Sequence, residues 1–76
     1  MNKARRAVIS SIRDQLDDLK SQVEEIQGEE QDYFDNMPEN MQDGERGDAA
    51  SEAARELENA VSALDEAIGN LENAEA

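Results

Sequence analysis

The stretch Ile9-Ser10-Ser11-Ile12-Arg13-Asp14-Gln15-Leu16-Asp17-Asp18-Leu19-Lys20-Ser21-Gln22-Val23-Glu24-Glu25-Ile26 decides the fold. Set Ile9 at position a of a seven-residue repeat. Ile12 is then d, Leu16 a, Leu19 d, Val23 a and Ile26 d. The apolar residues recur at alternating steps of three and four, which is a coiled-coil seam on a helix. Past Ile26 the seam weakens into Glu30 and Tyr33.

A second seam lies further along the chain. With Ala50 at d, Ala54 is a, Leu57 d, Val61 a, Leu64 d, Ile68 a and Leu71 d. Beside it Ala53, Ala60, Ala67 and Ala74 repeat at g, a small-residue column that favours close packing of a second surface. Between the seams, Asn36-Met37-Pro38-Glu39-Asn40-Met41-Gln42-Asp43-Gly44 carries turn residues. Asn36 and Pro38 are placed to start one short helical turn there. Pro38 also sets the latest end of the first helix, because the residue before a proline avoids the helical region. Asp43 and Asp48 are both candidate caps for the second helix. The expected organisation is a single domain over residues 1–76: helix about 4–35, loop about 36–44 and helix about 45–74. The fold class is all-α, an antiparallel, coiled-coil-like two-helix hairpin.

A hairpin has to bring its seams into register. Pairs whose residue numbers sum to 80 match Ile9 with Leu71, Ile12 with Ile68, Leu16 with Leu64, Leu19 with Val61, Val23 with Leu57 and Ile26 with Ala54. Apolar meets apolar throughout, about a centre inside the loop. The flanking e positions add opposite charges: Lys20 towards Glu58, Arg13 towards Asp65 and Arg6 towards Glu72. Exposed pairs of this kind contribute about 0–1 kcal/mol each, so they select register more than they stabilise.

Two helices leave one side of the seam open. The chain has 76 residues and no cysteine or histidine, so disulfides and the commonest zinc ligands are excluded as supports. The natural completion is a homodimer that forms a four-helix bundle through Ile9, Ile12, Leu16, Leu19, Val23, Ile26, Ala54, Leu57, Val61, Leu64, Ile68 and Leu71. Docking of the open side on a different protein and a marginal monomer are the alternatives.

The net charge is −13, from 7 basic and 20 acidic residues. It is unevenly spread. Lys3, Arg5, Arg6 and Arg13 stand in a start without acids, and the remainder carries 3 basic and 20 acidic residues. That balance repels phosphate, so direct nucleic-acid binding is not expected. The basic start is suited either to touch nucleic acid or to neutralise an acidic helix end, its own or a partner subunit's. The apolar run Ala7-Val8-Ile9 is too short for a membrane span or a signal-peptide core, so a cytoplasmic location is expected.

The residues that carry catalysis are largely missing. The serines have no activating base beside them, and the carboxylates fall mainly on outer helix positions. No cofactor is expected. The acidic loop fails as a calcium loop: aligned on Gly44, Met41 replaces a ligand and Ala50 stands where the closing glutamate belongs, and aligned on Gly47, Arg46 intrudes. Two surfaces remain as candidate partner sites. One is Tyr33, Phe34, Met37 and Met41, which either plug the end of the bundle or present an apolar patch. The other is Asp14, Asp17, Asp18, Glu24 and Glu25 along one side of the first helix. It is either a solvated face or a row of negative charge that imitates a nucleic-acid backbone.

The loop words Glu29-Glu30-Gln31-Asp32-Tyr33-Phe34-Asp35-Asn36-Met37-Pro38-Glu39-Asn40-Met41-Gln42, followed by Glu45-Arg46-Gly47, resemble a signature of small helical-hairpin proteins from phages and prophages of Gram-positive bacteria. There a similar loop joins two helices. The resemblance covers residues 3–72 and implies a phage accessory protein whose partner is a host or phage protein. It brings no assigned activity. Small acidic phage proteins that counter host factors make an inhibitor of a nucleic-acid-binding enzyme the alternative expectation.

Overall fold

The computed structural model describes all of residues 1–76 and contains only helices. α1 spans Lys3–Asp35, α2 Glu39–Gln42 and α3 Glu45–Glu75. The molecule is a rod 58 Å long and 14 by 13 Å across. α1 and α3 lie along one another, and ion pairs tie late residues of α1 to earlier residues of α3 than those paired near its start. The two helices are therefore antiparallel.

Local chemistry sets the ends. The Asn2 side chain caps α1 by accepting a hydrogen bond from the Arg5 backbone N–H at 2.8 Å. Pro38 stops helical propagation, and its carbonyl then accepts from the N–H groups of Met41 and Gln42 at 2.8 and 3.0 Å, which seeds α2. α3 starts at Gly44, which is extended and offers no side-chain cap. Neither Asp43 nor Asp48 serves as the cap. Asp43 closes α2, and Asp48 joins Glu45 in the first turn of α3, beside the positive end of the helix dipole.

The register differs from the one centred on residue 40. Lys20 Nζ bonds Asp65 at 2.9 Å rather than Glu58. Arg13 Nη1 bonds Glu75 at 3.1 Å rather than Asp65. Arg6 is exposed and pairs with nothing. These two ion pairs move the pairing centre towards residue 43, close to one heptad along α3. Two features drive the shift. α2 fills the turn, and Met37, Gly47 and Ala50 are buried at the loop end, so the packed seam begins earlier on α3 than Ala54. A further consequence is that the start of α1 overhangs the end of α3. Residues 1–8 are all exposed.

Burial also shows which side of α1 meets α3. Besides Ser10 and Gly28, the covered residues of α1 are Ile9, Arg13, Leu16, Lys20, Val23, Gln27, Glu30 and Phe34, alternating a and e positions, and Met37 continues the row past the helix end. The d residues Ile12, Leu19, Ile26 and Tyr33 are exposed at 43%, 49%, 52% and 52%. On α3 the expected a and d residues are the covered ones, with Ala54 at 2% and Ile68 at 8% exposure. Only 5 of 76 residues are buried, too few for a self-sufficient core.

Gly28 and Gly69 sit in helix interiors with open space where a Cβ would stand. Gly69 therefore has no close neighbour to accommodate within one chain. Gly28→Ala and Gly69→Ala are each expected to stabilise the fold by about 0.5–1 kcal/mol by removing glycine's helix penalty, measured as a raised urea midpoint at unchanged slope.

Candidate functional site

The exposed column on α1 is the most distinctive surface. Ile12, Leu19, Ile26 and Tyr33 recur every seven residues, and the g positions Val8, Gln15, Gln22 and Glu29 interleave with them. Together they form a second seam on α1 at alternating steps of three and four. Its centre lies about 110° around the helix from the a/e stripe that packs on α3, at about 100° per residue. Val8 is exposed at 59%. Gln15 and Gln22 keep their amides occupied locally, on Ser11 and Asp18.

The loop cluster divides. Met37 is buried and Phe34 half-buried, so these two close the end of the hairpin. The Gln42 amide secures that closure by donating to the Phe34 carbonyl at 3.1 Å. Tyr33 and Met41 remain exposed, at 52% and 36%. Tyr33 belongs to the second seam of α1.

The acidic row is solvated. Asp14, Asp17, Asp18, Glu24 and Glu25 are all exposed on the outer side of α1. None pairs with α3; Asp14 lies 3.8 Å from Arg13 of its own helix, and Asp18 accepts from Gln22. Glu30, at a seam position, is half-buried and makes no ion pair with Arg46 or Arg55.

The charges at the helix ends run against the helix dipole. α1 has no acid in its first turn and no base in its last. Lys3, Arg5 and Arg6 crowd its positive end, while Asp32 and Asp35 crowd its negative end. Each such placement costs a few tenths of a kcal/mol to about 1 kcal/mol.

Lys20 is the one group whose protonation the fold clearly shifts. Its hydrogen bond to Asp65 holds it above the ordinary value of 10.5, against the opposing effect of desolvation and with help from the nearby carboxylates of Asp65, Glu24 and Asp17. The folded chain thus holds this proton more tightly than the unfolded one. The contribution is fully present below 10.5 and fades as pH rises through the raised value. Wild type is expected to lose more stability than Lys20→Met between neutral and strongly alkaline pH, as urea melts at each pH will show.

Ser10, Ser11, Asp14 and Leu19 line part of the widest concavity, which lies on the surface of α1 alone. No three histidine, cysteine or acidic residues are grouped so as to hold a metal ion, and no helix is long and apolar enough to cross a membrane. No family model, curated protein or solved structure matches the chain.

Proposed function

We propose that the chain is a non-enzymatic protein-interaction module whose open side is completed by a second copy, giving a homodimeric four-helix bundle. The exposed Ile12–Leu19–Ile26–Tyr33 column carries this reading. Such a column leaves apolar side chains in water along most of α1, and a chain with 5 buried residues gains from covering it. The angle between the two stripes of α1 fits the near-right-angle arrangement of neighbours around a four-helix bundle. The loop words support a phage accessory role in a host cytoplasm, with a host or phage protein as further partner. A dimer that gains stability on assembly melts at a temperature that rises with protein concentration. A melting temperature unchanged across a hundredfold dilution series, monitored by circular dichroism, overturns the self-association.

The second reading is an acidic inhibitor that occupies a basic groove of a nucleic-acid-binding enzyme. It draws on Asp14, Asp17, Asp18, Glu24 and Glu25, exposed and unpaired with α3 over about 16 Å of α1 at 1.5 Å per residue. It predicts salt-sensitive competition with DNA for a basic host protein. Partner binding unchanged after neutralising all five residues removes this reading.

A further inference from the structure

We infer that two copies of the chain pair α1 against α1 in antiparallel order, about a two-fold axis near residue 20, with the basic start of each copy lying on the acidic end of the other. This rests on the self-association proposed above and specifies its geometry.

The charge on α1 is the first argument. Lys3, Arg5 and Arg6 lie at one end of α1 without an ion pair, and Arg5, at d, is the one that stands on the exposed stripe. Glu29, Asp32 and Asp35 lie at the other end, also without a cationic partner. A parallel pair of α1 helices sets base on base and acid on acid. An antiparallel pair sets the basic end of one α1 level with the acidic end of the other, with Arg6 at the height of Asp35 along the axis and Arg5, on the stripe itself, beside the loop end of the second copy. The same arrangement offsets the unfavourable dipole placement at both ends of α1, for which one copy offers no compensation.

The seam is the second argument. In an antiparallel pair the d layers of one helix meet the g layers of the other, as a meets d in an ordinary seam. Pairs whose numbers sum to 41 satisfy this along the stripe. Val8 meets Tyr33, Leu19 meets Gln22, and Ile26 meets Gln15. Ile12 meets Glu29. The axis then falls between Leu19 and Gln22, close to the midpoint of α1, so nearly the whole helix overlaps.

The overhang is the third argument. Because α1 extends past the end of α3, its first turns stay exposed within one chain. Antiparallel pairing carries each overhang alongside the loop end of the other copy. One helix-wide strip about 50 Å long and about 10 Å wide covers about 500 Å² on each copy, about 1,000 Å² in all, which is the lower bound for a biological interface and fits a dimer that dissociates on dilution.

The absence of cysteine allows single spin labels at chosen positions. In the antiparallel pair the separation of identical positions along the axis grows by about 3 Å for each residue away from the centre. Labels at Asp18→Cys are expected to lie about 8 Å apart along the axis, and labels at Ala4→Cys about 50 Å apart. Circular dichroism checks that each labelled chain keeps its helix content. A dimer with equal separations at both positions is parallel and overturns the inference while leaving self-association in place. A dimer with Asp18 labels far apart overturns it too, since α1 is then not the shared helix. A chain that stays monomeric overturns both. Charge reversal adds an independent reading. Lys3→Glu/Arg5→Glu/Arg6→Glu should weaken dimerisation about tenfold or more at low salt, and adding Glu29→Lys/Asp32→Lys/Asp35→Lys should restore it. No recovery in the combined variant contradicts the antiparallel contact.

Discussion

Gly47→Ala is expected to destabilise the fold by about 2–3 kcal/mol, the largest loss from any single added methyl group. Gly47 is buried where α3 passes α2, and a Cβ there would overlap the carbonyl, carbonyl carbon and Cα of Gln42. The obstruction is main chain, so no rotamer change relieves it. α2 has to move away from α3, which also strains the Gln42 bond to the Phe34 carbonyl and loosens the cover over Met37. Alanine's better helix propensity returns at most about 1 kcal/mol. A urea melt of Gly47→Ala beside Gly69→Ala separates steric conflict from propensity, since the two changes are chemically identical and should shift the midpoint in opposite directions. A Gly47→Ala midpoint at or above wild type would show that α2 does not pack on α3 as described.

The double variant Leu19→Asp/Ile26→Asp should act on assembly instead. Both side chains are about half exposed, so the contacts between α1 and α3 do not depend on them. In the dimer they occupy the centre of the seam, where two carboxylates per copy would be desolvated without partners. That cost exceeds about 3 kcal/mol, more than a hundredfold in the dissociation constant. The expected variant is a single chain of 8.4 kDa that remains helical but melts at a lower temperature. Leu64→Asp is a poorer probe, since Leu64 is half-buried in the α1–α3 seam and its loss damages the hairpin itself.

Much of this was legible from spacing. The two seams, the turn at Pro38 and the short helical turn after it follow from residue type and period. The register was less accessible for a physical reason. A seven-residue repeat is indifferent to sliding by seven, so Lys20 faces an acid at both Glu58 and Asp65. What distinguishes the two is the turn, where Gly47 allows α2 to press against α3 and Met37 and Ala50 extend the core. Glycine at a seam position was the available signal. The sideways turn of α1 was also hidden. The sequence marks a and d as apolar, but Arg13, Lys20 and Gln27 at e carry long stems that cover apolar surface as readily as a smaller hydrophobe. They take the place of Ile12, Leu19 and Ile26 against α3, and the d column is left outside.

That displaced column is what the account depends on, and the mass of the unmodified chain in solution tests it most directly. Sedimentation equilibrium over micromolar to millimolar concentrations is expected to give a species near twice 8.4 kDa, which dissociates on dilution and on substitution of Leu19 and Ile26 by aspartate. A single 8.4 kDa species across that range, with a cooperative melt independent of concentration, would show that the exposed Ile12, Leu19, Ile26 and Tyr33 do not pair with a second copy and would contradict the account.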